Sequence, residues 1–155
     1  MPSSAPMHRF ERQELKESHG SLFADEVAIR FQDVDAAGSL FFARLFDYLH
    51  GAYEGLLESA GCPLPLVLAE KSWAAPLRHV EADYFGPLTF GDRVVVHIAL
   101  AHVEETEITL GYRVVKEDES VAAVGQTVHT FIDVGNRTRR PVPPELTRLL
   151  TALAN

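Results

Sequence analysis

Cysteine and basic side chains are in short supply here: 155 residues hold one Cys, and 14 Lys and Arg stand against 22 Asp and Glu. Each shortage excludes a class. Cys62 alone cannot close an internal disulfide, and no CxxC or Cys/His cluster surrounds it, so a disulfide-stapled or zinc-clipped scaffold is out. A buried thiol in a reducing cytoplasm is the expectation. The formal net charge of -8 argues against nucleic acid, because phosphate binding draws most of its affinity from Lys and Arg. A nucleotide-bearing ligand gripped by a few local arginines remains open. No run reaches the roughly 18 consecutive apolar residues of a membrane span, and Met1 to Gly20 has no apolar signal core. That leader, residues 1–21, reads as a polar arm, either loose or a short helix laid on the surface. GxSxG, Walker A and GxGxxG are all missing, which leaves serine-hydrolase, P-loop and Rossmann readings without local support. His8, His19, His79, His97, His102 and His129 show neither HxH nor HExxH spacing, so no metal site is expected.

What is present is an ordinary globular composition, 46% hydrophobic and 23% charged, in a chain long enough to bury roughly two-thirds of its unfolded surface. One domain, residues 22–155, is the simplest organisation. From Leu22 to Gln32, Phe23, Val27, Ile29 and Phe31 alternate as in a half-buried strand. A helix is expected from about Leu40 to Ser59, stopped by Gly61 and two prolines. On its wheel Phe41, Phe42, Leu45, Phe46, Tyr48, Leu49, Ala52, Tyr53, Leu56 and Leu57 share one broad arc, opposite Arg44, Asp47, Glu54 and Glu58. So wide an apolar arc needs a wrapper. Gly51 and Gly55 cost about 1 kcal/mol each against Ala, which points to close approach by a partner helix or the sheet. After a loop, strands are expected over Ser72–Phe85, from Arg93, from Thr106 and from Ser120. Short turns between them favour antiparallel pairing. The expected class is α+β, one strand, a long helix and a four-strand meander, with the curved sheet around the helix. A short helix from about Pro144 closes the chain.

Asp33 and Asp35 lie in DVDAAG, just before the helix. Local physics allows two readings: caps that satisfy unpaired N–H groups, or a nucleophile or general base beside the oxyanion-stabilising amides of a helix start. His50 at the edge of the arc is either a packing residue or a catalyst. Glu54 and Glu58 read as a solvated face or an alternative base. Arg137, Arg139 and Arg140 form the densest basic cluster, serving either solubility or the phosphates of a CoA-type ligand.

The stretch RFQDVDAAGSLFFARLFDYLHGAYEGLLE resembles the hotdog-fold acyl-CoA thioesterases of the 4-hydroxybenzoyl-CoA thioesterase family, whose signature is D-x-D-x-x-G before a long aromatic-rich helix. The likeness continues through PLRHVEADYFGPLTFGDRVVV and ends in RRPVPPEL, covering about Phe23 to Leu146. HGAYEGLL looks closest to the branch acting on 1,4-dihydroxy-2-naphthoyl-CoA. The resemblance implies a hotdog thioesterase in which Asp35 is the catalytic carboxylate, Asp33 a support, Gly38 the turn, and the Phe42 backbone N–H the oxyanion donor. Many relatives carry Tyr or His where this chain has Phe42, so only the backbone donor carries over. Phe41, Phe46, His50, Tyr53 and Trp73 become candidates for the acyl group, and Arg139 and Arg140 for the CoA phosphates. No cofactor is implied beyond the CoA of the substrate, and the implied assembly is a homo-oligomer, dimer or homotetramer. An acyl-carrier-protein thioesterase and a non-catalytic acyl-CoA-binding protein are the rival expectations.

Overall fold

A computed structural model describes residues 6–153. The chain runs through α1 (Arg12–Glu17), β1 (Phe23–Ala28), 3-10 turns at Phe31–Asp33 and Phe42–Arg44, α2 (Leu45–Ser59), α3 (Leu64–Glu70) and β2 (Trp73–Ala74). It continues through β3 (Leu77–Tyr84), β4 (Arg93–Val103), β5 (Glu107–Lys116), β6 (Val121–Thr130), β7 (Ile132–Asp133) and α4 (Pro144–Leu153). Five strands make one antiparallel sheet in the order β1-β4-β5-β6-β3, and β2 pairs with β7 in a separate two-stranded ladder. The sheet packs its concave face on α2, the expected α+β arrangement. No helix among the described residues is long and apolar enough to cross a membrane.

Alternation explains the core. Val94, Val96, Ile98, Ile108, Leu110, Tyr112 and Val114 line the face toward α2, where Leu45, Leu49, Leu56 and Leu57 meet them. Those four leucines are each at most 1% exposed. Burying a side chain of that size stabilises by about 1.5–3 kcal/mol, which outweighs the cost of two mid-helix glycines. The glycines have their own use. A Cβ on Gly55 would overlap the Phe23 ring, and one on Gly51 would touch the Asp25 carboxylate at 3.7 Å. Edge strand β1, not a partner helix, therefore makes the close approach.

The arm takes its helical option over Arg12–Glu17 and closes the opposite face of the sheet; residues 1–5 lie outside the described part. Phe10 and Leu15 are buried against Val124, and a Cβ on Gly111 would overlap Leu15. Polar groups fix the register. The Gln126 amide accepts from the Phe10 N–H and donates to the Phe10 carbonyl, both at 2.9 Å. Arg9 pairs with Glu81 through two bonds.

Several sequence expectations need correction. The four-strand meander holds only for β4 to β6, because β3 pairs with β6 and not with β4. The segment Phe85–Asp92 is thus no hairpin turn but a crossover along the end of the sheet. Backbone bonds tie it to the DxD loop and the end of β1: Leu40 N–H to Leu88 O at 2.7 Å, Phe90 N–H to Gly38 O at 3.1 Å and Gly91 N–H to Ile29 O at 3.0 Å. The α-helix begins at Leu45 rather than near Leu40, since Ser39 and Leu40 are extended and bridged to Thr89 and Val34. Phe31 leaves the strand for a 3-10 turn and is 75% exposed. The expected strand from Ser72 breaks between Ala74 and Leu77, where Pro76 has no N–H to give, and the last strand breaks at Phe131. The expected loop after Cys62 contains α3, which tolerates Pro65 because a first-turn residue needs no N–H bond.

Candidate active site

Beyond β1 the chain tightens into the Phe31–Asp33 turn and buries a carboxylate. Asp33 is 7% exposed, and the Tyr48 hydroxyl donates to its Oδ2 at 2.6 Å. The same hydroxyl oxygen accepts the Arg30 N–H at 3.1 Å. The Asp33 main-chain carbonyl accepts the Phe41 N–H at 2.9 Å.

Asp35, two residues on, is exposed. Its Oδ1 accepts the N–H groups of Ala37 at 2.8 Å and Ser39 at 3.2 Å. Its carbonyl accepts the Gly38 N–H at 3.0 Å, and its own N–H donates to Ser39 O at 2.7 Å. Gly38 completes this tight loop with φ of +83°, a left-handed conformation a side chain resists. One Asp35 oxygen thus caps the loop, while Oδ2 takes no donor among the described residues.

The helix start supplies the second half. Leu40 and Phe41 give their N–H groups to Leu88 and Asp33, so Phe42 is the next amide, the first of its 3-10 turn, and has no acceptor among the described residues. The Phe42 N–H shares its peptide plane with the Phe41 carbonyl, which accepts the Arg44 N–H at 2.9 Å, and the Tyr84 hydroxyl donates to the carbonyl of the next peptide unit, that of Phe42. A carboxylate with one free oxygen and an unpaired amide at a helix start are the components of acyl transfer: a nucleophile or base, and a donor for a developing oxyanion.

Residues 29–150 match the thioesterase-like superfamily. The chain belongs to that superfamily. It is 34% identical over 129 residues to the 1,4-dihydroxy-2-naphthoyl-CoA hydrolase of Rippkaea orientalis, covering 82% of this chain and 94% of that protein. It is 32% identical over 124 residues to the hydrolase of the same name from Crocosphaera subtropica, covering 79% and 90%. Among solved structures, a 1,4-dihydroxy-2-naphthoyl-CoA thioesterase from Synechocystis superposes with a TM-score of 0.79 at 27% identity, over 86% of this chain and 98% of that one. The fold is the hotdog fold, as the resemblance implied.

Within this superfamily member the other candidate residues separate into groups. Phe41 and Phe42 pack ring against ring at 4.7 Å beside the DxD loop, and both are exposed. Phe46 is half-buried one turn on. His50 is exposed, with Nδ1 3.2 Å from Glu54 and its ring 5.4 Å from Tyr53. Tyr53 is a core residue, stacked on His129 at 4.1 Å; burial pushes its hydroxyl pKa far up, so it stays neutral. Trp73 leans on Phe131 at 5.3 Å. Arg139 donates to Thr106 Oγ1 and Arg140 to the Ser72 carbonyl, both at 3.0 Å. Thr106 immediately precedes β5, whereas Asp35 lies where β1 ends and β4 begins, so the two arginines sit at the opposite end of the sheet from Asp35 in the same chain.

A cleft of about 530 Å³ between β1 and α2 is lined by Asp25, Arg30, Asp33, Arg44, Asp47 and Tyr48 among others. Burial pushes the Asp25 carboxyl pKa up. Among the described residues no group of three or more His, Cys, Asp or Glu is placed to hold a metal ion. Sequence reasoning missed Tyr48 and Tyr84 as site residues, because Tyr48 lies on the apolar arc and Tyr84 reads as one more strand aromatic. It also missed a buried polar chain in which Tyr112 Oη lies 2.8 Å from Thr127 Oγ1 and that oxygen 2.9 Å from His129 Nε2. The two-residue spacing of Thr127 and His129 was the available signal, since it places both on one face of β6.

Proposed function

We propose that this chain hydrolyses a CoA thioester of an aromatic or otherwise bulky acyl group to the free acid and CoA. The observation that carries the reading is the junction itself, where the free Oδ2 of Asp35 and the unpaired Phe42 amide sit on one loop and helix start. Asp35 attacks the thioester carbonyl or draws a proton from the attacking water. In either case the carbonyl oxygen gains charge as the carbon becomes tetrahedral, and the Phe42 N–H meets it. Collapse expels the CoA thiolate and leaves the free acid where water attacked, or an acyl-aspartyl anhydride where Asp35 attacked, which a water then hydrolyses to the free acid and the Asp35 carboxylate. The names of the relatives support an aromatic acyl group, and the exposed Phe41 and Phe42 rings beside the loop, with Phe46 behind them, are suited to receive one.

Assembly belongs to the same reading. Edge strand β3 carries exposed Leu77, Val80 and Tyr84, and its outer side has no strand partner among the described residues. Antiparallel pairing of β3 with β3 of a second copy turns the sheet end for end, so that Arg139 and Arg140 of one protomer approach Asp35 of the other. A dimer is then the smallest assembly that offers both thioester chemistry and CoA phosphate binding, and a tetramer is two such dimers. The buried free thiol of Cys62 suits the reducing cytoplasm.

The test is thiol release from a panel of aromatic and aliphatic acyl-CoAs by wild type and Asp35→Asn. Loss of about 10²-fold or more in kcat is expected. Unchanged turnover in the Asn variant removes Asp35 from the mechanism.

A further inference from the structure

We infer that Tyr48 is a positioning residue for the reaction: its hydroxyl ties the Asp33 turn to the first turn of α2 and thereby holds the Asp35 carboxylate and the unpaired Phe42 amide at a fixed separation. The inference rests on reading Asp35 as the nucleophile or base.

The Phe31–Asp33 turn has little else to hold it. Phe31 and Gln32 face solvent, and the Phe31 ring meets the exposed Phe90 ring edge to face at 5.6 Å. Asp33 is its one buried side chain, and Tyr48 is the one side chain among the described residues that bonds its carboxylate. A buried carboxylate without a donor costs several kcal/mol, so this bond decides whether the turn stays docked.

The bond has a defined direction. A phenol has one proton to give, and its acceptor side already takes the Arg30 N–H, so the proton points at Asp33. Burial, and then the Asp33 carboxylate, push the Tyr48 pKa above its ordinary value, so the proton stays on the phenol at working pH.

Asp33 is also the residue that selects the free amide. Its carbonyl takes the Phe41 N–H, and the next amide, Phe42, is left open. Through its side chain Asp33 grips α2, through its carbonyl it grips the residue before the 3-10 turn, and Asp35 follows two positions later. The far side of the loop is held separately by Leu88 and Thr89. Removing the Tyr48 hydroxyl releases one of the two sides, and a displacement near 1 Å at a reacting group costs about 10²-fold in rate.

The experiment uses the full chain and two readouts: hydrolysis of the best acyl-CoA of the panel, and amide hydrogen exchange at Ala37, Ser39 and Phe41. In Tyr48→Phe the exchange of these amides is expected to quicken about tenfold or more while β5 and β6 amides hold, and kcat to fall about 10- to 100-fold with KM within about twofold. Asp33→Asn keeps an oxygen to accept the Tyr48 proton and is expected to stay within about threefold of wild type. Asp33→Ala is expected to match Tyr48→Phe, and the double variant Asp33→Ala/Tyr48→Phe to be no slower than the slower single one. Tyr112→Phe, which removes a buried hydroxyl bond to Thr127 far from the loop, controls for general loosening and should leave kcat unchanged. Wild-type exchange at Ala37 and Ser39 in Tyr48→Phe overturns the inference, as does an Asp33→Asn enzyme as slow as Asp33→Ala. Quickened exchange combined with full activity of Asp35→Asn would instead leave the strut standing and remove the chemical role of Asp35.

Discussion

Acid should weaken this fold through His129, and the size of the effect follows from where the ring lies. His129 is 1% exposed, stacked on Tyr53 and bonded through Nε2 to Thr127, while its Nδ1 makes no well-formed hydrogen bond among the described residues and the Ala75 backbone offsets only part of the effect of burial. Burial lowers its pKa to about 3, against about 6.5 in an unfolded chain. Between those values the unfolded chain binds a proton that the native chain refuses. Stability is therefore whole above about pH 6.5 and is lost as the pH falls toward 3. From pH 7 to pH 5 the loss from this one group is about 2 kcal/mol, or about 4–8 °C in Tm for a chain of this length. Burial also lowers the pKa of His8 and His97, which act in the same direction. The measurement is accordingly a comparison of slopes. Thermal unfolding of wild type and His129→Gln is followed by circular dichroism from pH 7 to 5, and the variant, whatever its absolute Tm, should show the shallower dependence. Parallel slopes, or a His129 ring seen by NMR to titrate near pH 6.5 in the native protein, would refute the reasoning.

Two further outcomes test the packing. Gly55→Ala should lower stability by about 1–3 kcal/mol, because overlap with the Phe23 ring outweighs the roughly 1 kcal/mol of helix propensity gained; a raised Tm would show that β1 does not press on α2 there. Leu15→Ala should cost about 2–5 kcal/mol in chemical denaturation and leave kcat unchanged below the transition, since α1 lies on the sheet face away from α2. A variant as stable as wild type would contradict the buried arm.

Much of the fold was legible because each feature had a local physical cause. The end of α2 at Ser59 is marked by Gly61, whose φ of +84° suits a helix stop. The three long strands announce themselves as strand-like runs between short turns, and β5 alternates, with Ile108, Leu110, Tyr112 and Val114 on one face. Asp33 and Asp35 were distinguishable by resemblance but not by local pattern, and the distinction in burial between them depends on Tyr48, a residue whose position on the apolar arc marks it only as core. Periodicity says which face of a strand is buried and nothing of which strand lies beside it, so the pairing of β3 with β6 could not be read. Nor could α3, whose two turns, with Pro63 before them and Pro65 in the first, give too short a pattern. Arg139 and Arg140 were grouped with Asp35 through the resemblance, and sequence nearness carries no information about which end of a sheet a cluster occupies.

The crossover between β3 and β4 bears on how the protein folds. Ser39 and Leu40 are held against Thr89 and Leu88, in a segment that joins β3, paired with β6, to β4, paired with β5. Such contacts are distant in sequence, and chains dominated by them fold slowly. The carboxylate and its amide are thus not a local motif that forms early and waits for a scaffold. During refolding, hydrolysis is therefore expected to return no sooner than the five-stranded sheet is assembled, which makes recovered activity a clock for that long-range step.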